Sequence, residues 1–456
     1  MQSKIIEKKI TKKFNVLYLL IVLIAVCWSW LPLIKASKIS NNVFVATIVA
    51  VLVFAIIISI NLKAMFWTVS KLSKFKLKHR VSELLIIFIM VSFLLWFLGI
   101  ASTIIWFGKG ASIDNTLPFT SLTPFVALTP LKYLTRFFGY HGTTALLVTL
   151  IITLWSKKYR KFVPYLVGII LVCNFLGWYV YKTPNGSTKT VQIVAEQLGN
   201  PQPLNSNADL VVIPEYGLDG IDNNNLSLRL TGDSSVLFVG SKQTHSDTGN
   251  RNTLLFGSLA QGINLEQDKS RLIPGGEYLA YAAEPLLKTF SGSTYTNFQV
   301  TRQVERGKKP INPVRTNSDN LVVGAEACSS IINTEDYRKL TKDGATILTN
   351  SASLEIFRGS SIFAIQHRGL ASFMAVANAR PFAQSSNNWP AFALDHNGKL
   401  VAEIQPTNTQ KINLTTNSKK TLYTILGEWP VFLGLGYLAA MVINKLRYKY
   451  RVNKTR

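Results

Sequence analysis

Long apolar runs alternate with short basic segments over the first 183 residues, give way to a mixed stretch, and return once near the end. A helix needs about 20 apolar residues to cross a bilayer. Five N-terminal runs approach that length: 14–34, 43–60, 84–107, 143–155 extended back through 137–142, and 162–181. A sixth covers 422–443. The first run is too long for a removable signal peptide and lacks a small-residue cleavage site. Residues 184–420 instead carry short apolar strands between helical stretches, an α/β pattern. Strands are expected at 190–195, 210–213, 235–239, 252–256, 321–324, 346–349, 383–385 and 391–394. The clearest helix is 361–379, where Ile362, Ile365, Gly369, Phe373, Val376 and Ala377 fall near one face. The pattern divides the chain into a polytopic α-helical membrane domain (1–183), an α/β domain (184–420), and a last span with a basic tail (421–456).

Charge orients this arrangement. The formal net charge is +25, but no nucleic-acid-binding motif accompanies it, and many of the basic residues lie at the ends of apolar runs. The N-terminus, 63–80, 157–161 and the tail from Lys445 hold 5, 6, 4 and 6 Lys/Arg, against 2 and 3 in the alternate loops 35–42 and 108–142. Basic loops stay in the cytoplasm. Both termini are therefore expected there, with 184–420 on the extracytoplasmic face of a cytoplasmic membrane. The loop 108–142 is rich in Pro and aromatics, and Pro118, Pro124 and Pro130 break it into pieces. Its segment 131–138 could form an amphipathic helix lying in the interface, and the loop is expected as an interfacial or re-entrant segment rather than a plain connector.

Candidate chemistry lies in the α/β part. Cys27 and Cys173 sit inside apolar runs, which leaves Cys328 alone in the soluble stretch and no disulfide framework. Glu215 ends the buried-strand sequence DLVVIPE, where partial desolvation would raise its pKa towards use as a general base. Lys269 precedes a Pro-Gly-Gly-Glu turn closed by Glu277. A lysine there could hold an oxyanion, with Glu277 orienting it. Cys328 ends LVVGAEAC at a strand-to-turn transition, and a helix starting there would lower its thiol pKa. Each residue alone also fits a blander role: a solvated strand-end charge, a surface lysine and turn glutamate, a small core residue. His245, His367 and His396 lack metal-ligand spacing, and no zinc or phosphate-binding motif is present, so no cofactor or metal is expected.

Order and context together resemble one known set. The stretch resembles the nitrilase superfamily, through DLVVIPE at 209–215, KSRLIPGGEY at 269–278, the strand leading to Cys328, ILTNSAS at 347–353, the segment 366–388 and ALDHNGKLVAEI at 393–404. That resemblance implies an αββα sandwich with a catalytic triad of Glu215, Lys269 and Cys328, and Glu277 in support. Spans before and after such a domain are similar to the apolipoprotein N-acyltransferase family. KSRLIPGGEYL, ARPFAQSSNN and TLYTILGEWPVF look like its lysine loop, its Arg-Pro segment and the entry to its last helix. The resemblance implies acyl transfer from a phospholipid donor, through a cysteine thioester, to the amine of a diacylated lipoprotein acceptor. Two alternatives stand beside it: a membrane-tethered amidase, and a non-catalytic scaffold that kept the fold. The chain departs from the family in having Ser329-Ser330 where Tyr-Glu is usual, and five N-terminal spans where seven are usual. Glu326 and Glu355 are the carboxylates nearby that could stand in.

Overall fold

The computed structural model describes residues 80–107, 121–246, 249–269, 271–272, 277–279, 284–290, 292–301, 303–307, 312–315, 321–355 and 361–454. The spans expected at 14–34 and 43–60, and loop residues 108–120, lie outside the described residues. Among the described residues, four helices are long and apolar enough to cross a membrane. They comprise α1 (Arg80–Phe107), α2 (Thr135–Trp155, preceded by a 3-10 turn at Pro130–Leu134), α3 (Val163–Val180) and, near the end of the chain, Trp429–Lys454. Within α2, Thr143, Thr149 and Thr153 donate their hydroxyls to carbonyls four residues back, so the helix leaves these polar groups satisfied.

The segment 131–138 differs from the expected interfacial helix. It forms the 3-10 turn and the first residues of α2, and the chain bends at Gly139, whose φ is 68°. Leu134, Thr135 and Arg136 are buried rather than laid on an interface. Arg136 explains the difference: its guanidinium donates to the carbonyls of Val376 (2.9 Å), Gly177 (2.7 Å) and His396 (2.9 Å), which draws the segment onto the α/β domain.

Among the described residues, the domain is built on a 12-stranded curled sheet. Its strands are β1 (Thr188–Glu196), β3 (Leu210–Val212), β5 (Leu237–Ser246), β6 (Gly249–Ser258), β7 (Gly262–Asp268), β8 (Val314–Arg315), β9 (Val322–Ala327), β10 (Ile347–Ser353), β11 (Phe382–Asn387), β12 (Ala391–Leu394), β13 (Leu400–Ile404) and β14 (Asn408–Thr415); β2 (Leu204–Ser206) and β4 (Leu230–Gly232) pair separately. The main order is β7-β6-β5-β3-β1-β11-β10-β9-β8. From β5 through β3, β1, β11 and β10 to β9 every neighbour is parallel. Parallel strands are buried on both faces and so read as continuous apolar runs. The inner face packs on itself, Val191, Ile193, Val212 and Phe256 against Val323, Ala325, Ile347 and Ala383. The outer face takes α4 (Thr334–Lys342) and α5 (Ser361–Asn378), through Tyr337, Leu340 and Phe373 against Leu348 and Phe382. This is the expected αββα sandwich beside apolar helices.

The last expected span, 422–443, is split. A short helix α6 (Leu422–Leu426) ends at Gly427, whose φ of 62° breaks the ladder, and α7 (Trp429–Lys454) starts afresh with Pro430 in its first turn.

Candidate active site

Parallel strands β3 and β9 and the end of β7 deliver the candidate residues to one place. Pro214 follows β3 and ends its hydrogen bonding, leaving Glu215 at the strand mouth. Lys269 follows β7 directly and is tied to β6 by its backbone N–H, 2.8 Å from the Asn252 carbonyl. Cys328 follows β9 in a left-handed conformation, φ 44°, and opens a 3-10 turn at Cys328–Ile332. Glu215, Lys269 and Cys328 retain only 2 %, 1 % and 6 % of their surface exposed.

The side chains meet. Lys269 Nζ lies 3.3 Å from Glu215 Oε1 and 2.6 Å from Glu277 Oε1. Asn252 Nδ2 donates to Glu215 Oε1 at 2.5 Å. The Cys328 thiol reaches the Ser353 carbonyl at 3.4 Å and lies close enough to the Glu215 carboxylate for that charge to act on it. All four residues singled out from the sequence thus converge.

Burial governs their ionisation. It raises the Glu215 pKa above the ordinary carboxylate range, and the Lys269 charge pulls back only part of that rise. For Lys269, burial would favour the neutral amine, but the charges of Glu215 and Glu277 outweigh it and hold the pKa well above the usual lysine value. Burial first, then the Glu215 charge, pushes the Cys328 thiol well up, against the pull of Lys269. The expected lowering by a following helix does not operate. A 3-10 turn intervenes, α4 begins at Thr334, and its first free N–H groups are taken by the Asn333 side chain. The resting pair is therefore a thiol beside a basic carboxylate, with a fixed ammonium next to both. Such a set can ionise the sulfur at the moment of attack and hold negative charge formed next to it.

The surroundings add residues that the sequence did not signal. Ala352, Leu354 and Trp389 form an apolar wall at Cys328, with Phe363 packed edge-on to Trp389 at 5.6 Å between ring centroids. Tyr216 has φ 64°, and its phenol pKa is raised, chiefly by the Glu215 charge and then by burial. Arg271 grips Asp336 through two bonds of 2.6 and 2.8 Å, and its carbonyl accepts from Ser329, joining the stretch after Lys269 to the stretch after Cys328. Of the two stand-in carboxylates, Glu355 is exposed at the last residue described before 361. Glu326 is fully buried on the strand leading to Cys328, facing Ser330, and burial, then Asp336, raises its pKa well above the usual range. Asn252 and Arg271 are polar residues within or beside apolar patterns, and nothing in their spacing marks them. Among the described residues no three His, Cys, Asp or Glu side chains converge as metal ligands.

No family model matches the chain. An apolipoprotein N-acyltransferase of Photobacterium profundum is 23 % identical over 398 residues, 77 % of this chain and 71 % of the relative. One from Prochlorococcus marinus is 24 % identical over 66 % of this chain and 64 % of its own length. The chain is a distant relative of these acyltransferases. It is also 24 % identical to an apolipoprotein N-acyltransferase of Vibrio vulnificus over 52 % of this chain, spanning about half of that relative's length (48 %). Among solved structures, a carbon-nitrogen hydrolase superfamily protein of Xanthomonas campestris aligns at TM-score 0.35 and 13 % identity, over 50 % of this chain and 91 % of its own. A nitrilase superfamily member of Saccharomyces cerevisiae aligns at TM-score 0.36 and 12 % identity, over 51 % and 91 %.

Proposed function

We propose that the protein is a membrane acyltransferase that moves a fatty acyl chain from a phospholipid, through a Cys328 thioester, to the α-amine of a diacylglyceryl-cysteine lipoprotein. The observation that carries this reading is the buried convergence of Glu215, Lys269 and Cys328 in a domain flanked by helices fit to cross a membrane. The distant relatives named for this activity support it.

In the first half-reaction Glu215 takes the thiol proton as Sγ bonds to the ester carbonyl carbon, and the carbonyl oxygen becomes an oxyanion facing the Lys269 ammonium. The oxyanion collapses, the ester C–O bond breaks, and the leaving alkoxide takes the proton from Glu215 to depart as a lyso-lipid. In the second half the lipoprotein amine attacks the thioester carbon and gives its proton to Glu215. The C–S bond breaks, and the thiolate recovers that proton. Two half-reactions on one residue give ping-pong kinetics. Glu277 fixes the ammonium and does not itself bond to substrate. The apolar wall of Leu354, Trp389 and Phe363 offers an acyl chain a dry place beside the sulfur, which protects a thioester from hydrolysis.

The geometry of the helices supports an extracytoplasmic placement for the domain. Glu83 in the first turn of α1 pairs with Lys158 at 2.7 Å, so that end lies by the basic turn between α2 and α3. The opposite ends of α2 and α3 meet the domain through Arg136. The test is to reconstitute the full chain with an acyl-labelled phospholipid and a synthetic diacylglyceryl-cysteine peptide. Label on the peptide amine is expected. Hydrolysis of a soluble amide without label transfer would replace this reading with that of a membrane-tethered amidase.

A further inference from the structure

Glu215 and Cys328 share a feature that the triad chemistry leaves unexplained. Each lies at a sharp break in the chain, Cys328 itself at φ 44° and Glu215 just before Tyr216 at φ 64°. Left-handed conformations are costly for residues with a side chain and persist only where the surroundings enforce them. At both breaks a fully buried carboxamide takes hold of the backbone carbonyl. Asn387, at the end of β11, donates its Nδ2 to the Glu215 carbonyl. Asn350, in β10, donates its Nδ2 to the Cys328 carbonyl at 3.3 Å. Both lie on central strands of the parallel sheet, paired on both sides, so their own positions are rigid.

Asn350 Nδ2 also reaches Gln384 Oε1 at 3.2 Å, and Gln384 Nε2 donates to Ser386 Oγ at 3.0 Å, so Asn350 is itself held across β10 and β11. Asn350, Gln384 and Asn387 are 0 %, 0 % and 2 % exposed. Burying a carboxamide is unfavourable unless its donors are paired, and the Nδ2 groups of Asn350 and Asn387 are spent on the Cys328 and Glu215 carbonyls. Asparagine also suits this better than a shorter residue, since its amide can span from one strand to the mouth of the next.

We propose that Asn387 and Asn350 are positioning residues that clamp the base and the nucleophile separately, each by its main-chain carbonyl, so that sheet geometry sets the carboxylate-to-sulfur alignment. The inference rests on the reading of Glu215 as base and Cys328 as nucleophile. It assigns the two amides different effects. Asn387 acts on Glu215 and so on proton removal, whereas Asn350 acts on the direction in which the sulfur points.

Alkylation of Cys328 by iodoacetamide tests this without any acyl substrate. The full chain in detergent is treated across pH 6 to 10, and the modified residue is identified by peptide mass, which separates it from Cys27 and Cys173. Asn387→Leu is expected to move the midpoint of the pH–rate profile by about one unit, a usual environmental displacement. Asn350→Leu is expected to leave the midpoint and slow alkylation roughly 10- to 100-fold, as a misaligned reacting atom does. Asn350→Ser and Asn387→Ser, too short to reach the carbonyls, serve if the leucine variants do not fold, and Asn387→Gln should restore part of the wild-type profile. Folded variants whose rates stay within about twofold of wild type, with unmoved midpoints, overturn the clamp. So does one common loss of rate in both variants that follows only the fraction folded. If the profiles split as described while the wild type transfers no acyl group, the clamp stands and the acyltransferase reading fails.

Discussion

At the site, one buried volume holds two carboxylates, an ammonium and a thiol, and their mutual charges decide which of them carries the proton. Glu215 is raised by burial more than Lys269 lowers it, so it stays protonated to a higher pH than an ordinary carboxyl, whose pKa is about 4.3. Below its own pKa it cannot accept the thiol proton. Cys328 alkylation should therefore fall with acidity along a limb placed above the normal carboxylate range. In Glu215→Gln that limb should vanish and the rate should drop by about 10²-fold or more. An unchanged limb would assign the titration to another group. Glu215, Lys269 and Cys328 were legible as candidates in the sequence because each follows an apolar strand or precedes a glycine turn. Asn252 was not, and Asn350 and Asn387, though they lie in the quoted segments 347–353 and 366–388, were given no role, because a polar residue inside a strand looks the same whether it faces water or a backbone carbonyl. Even the sign of the thiol shift was misread. A following helix lowers a thiol pKa only if its free N–H groups reach the sulfur, and Asn333 takes them.

Among the elements, the parallel strands were the readable ones. β1, β3 and β9 are buried along most of their length and their apolar runs announce them, whereas β10 and β11 are as deeply buried but carry Thr, Ser, Asn and Gln. β7, β13 and β14 were missed because much of each is exposed and their Gln, Glu, Lys and Asn content reads as loop. Helix α5 was legible from its periodicity, but one of its residues has a consequence that periodicity does not convey. His367 is buried among Phe363 and Phe392, and burial, then the nearby Arg368 charge, lowers its pKa to about 3. The unfolded chain binds that proton near pH 6.5 and the folded chain does not, so His367 withholds no stability above pH 6.5 and costs increasingly more as pH falls towards 3. His367→Phe should narrow the loss of thermal midpoint between pH 7 and pH 4 compared with wild type. An equal loss in both proteins would mean that the imidazole protonates in place.

Over the whole molecule, the joint between the helices and the sheet matters most. Glu428, just before α7, accepts from the backbone N–H groups of Tyr140 and His141 at 2.7 and 3.0 Å, and Trp429 Nε1 donates to the Phe137 carbonyl at 2.7 Å. With Arg136, these bonds fix α2 and α7 to the domain at one end, while Lys157–Lys161 and the basic end of α7 lie at the other. On the count of basic residues, that other end is expected in the cytoplasm. The buried joint was hidden, since an arginine in a Pro- and aromatic-rich loop reads as an interfacial anchor. In a chain stripped of its own cysteines, Lys399→Cys should react with an impermeant maleimide on intact cells, and Lys157→Cys only after the membrane is opened. The reverse order would invert the orientation.

Whether Cys328 carries an acyl group is the most direct question. The full chain in detergent, incubated with an acyl-labelled phospholipid and no acceptor, should accumulate label that hydroxylamine releases, that maps to the Cys328 peptide, and that Cys328→Ala does not acquire. An unlabelled wild-type protein, or label that persists in Cys328→Ala, would contradict the thioester at the centre of this account.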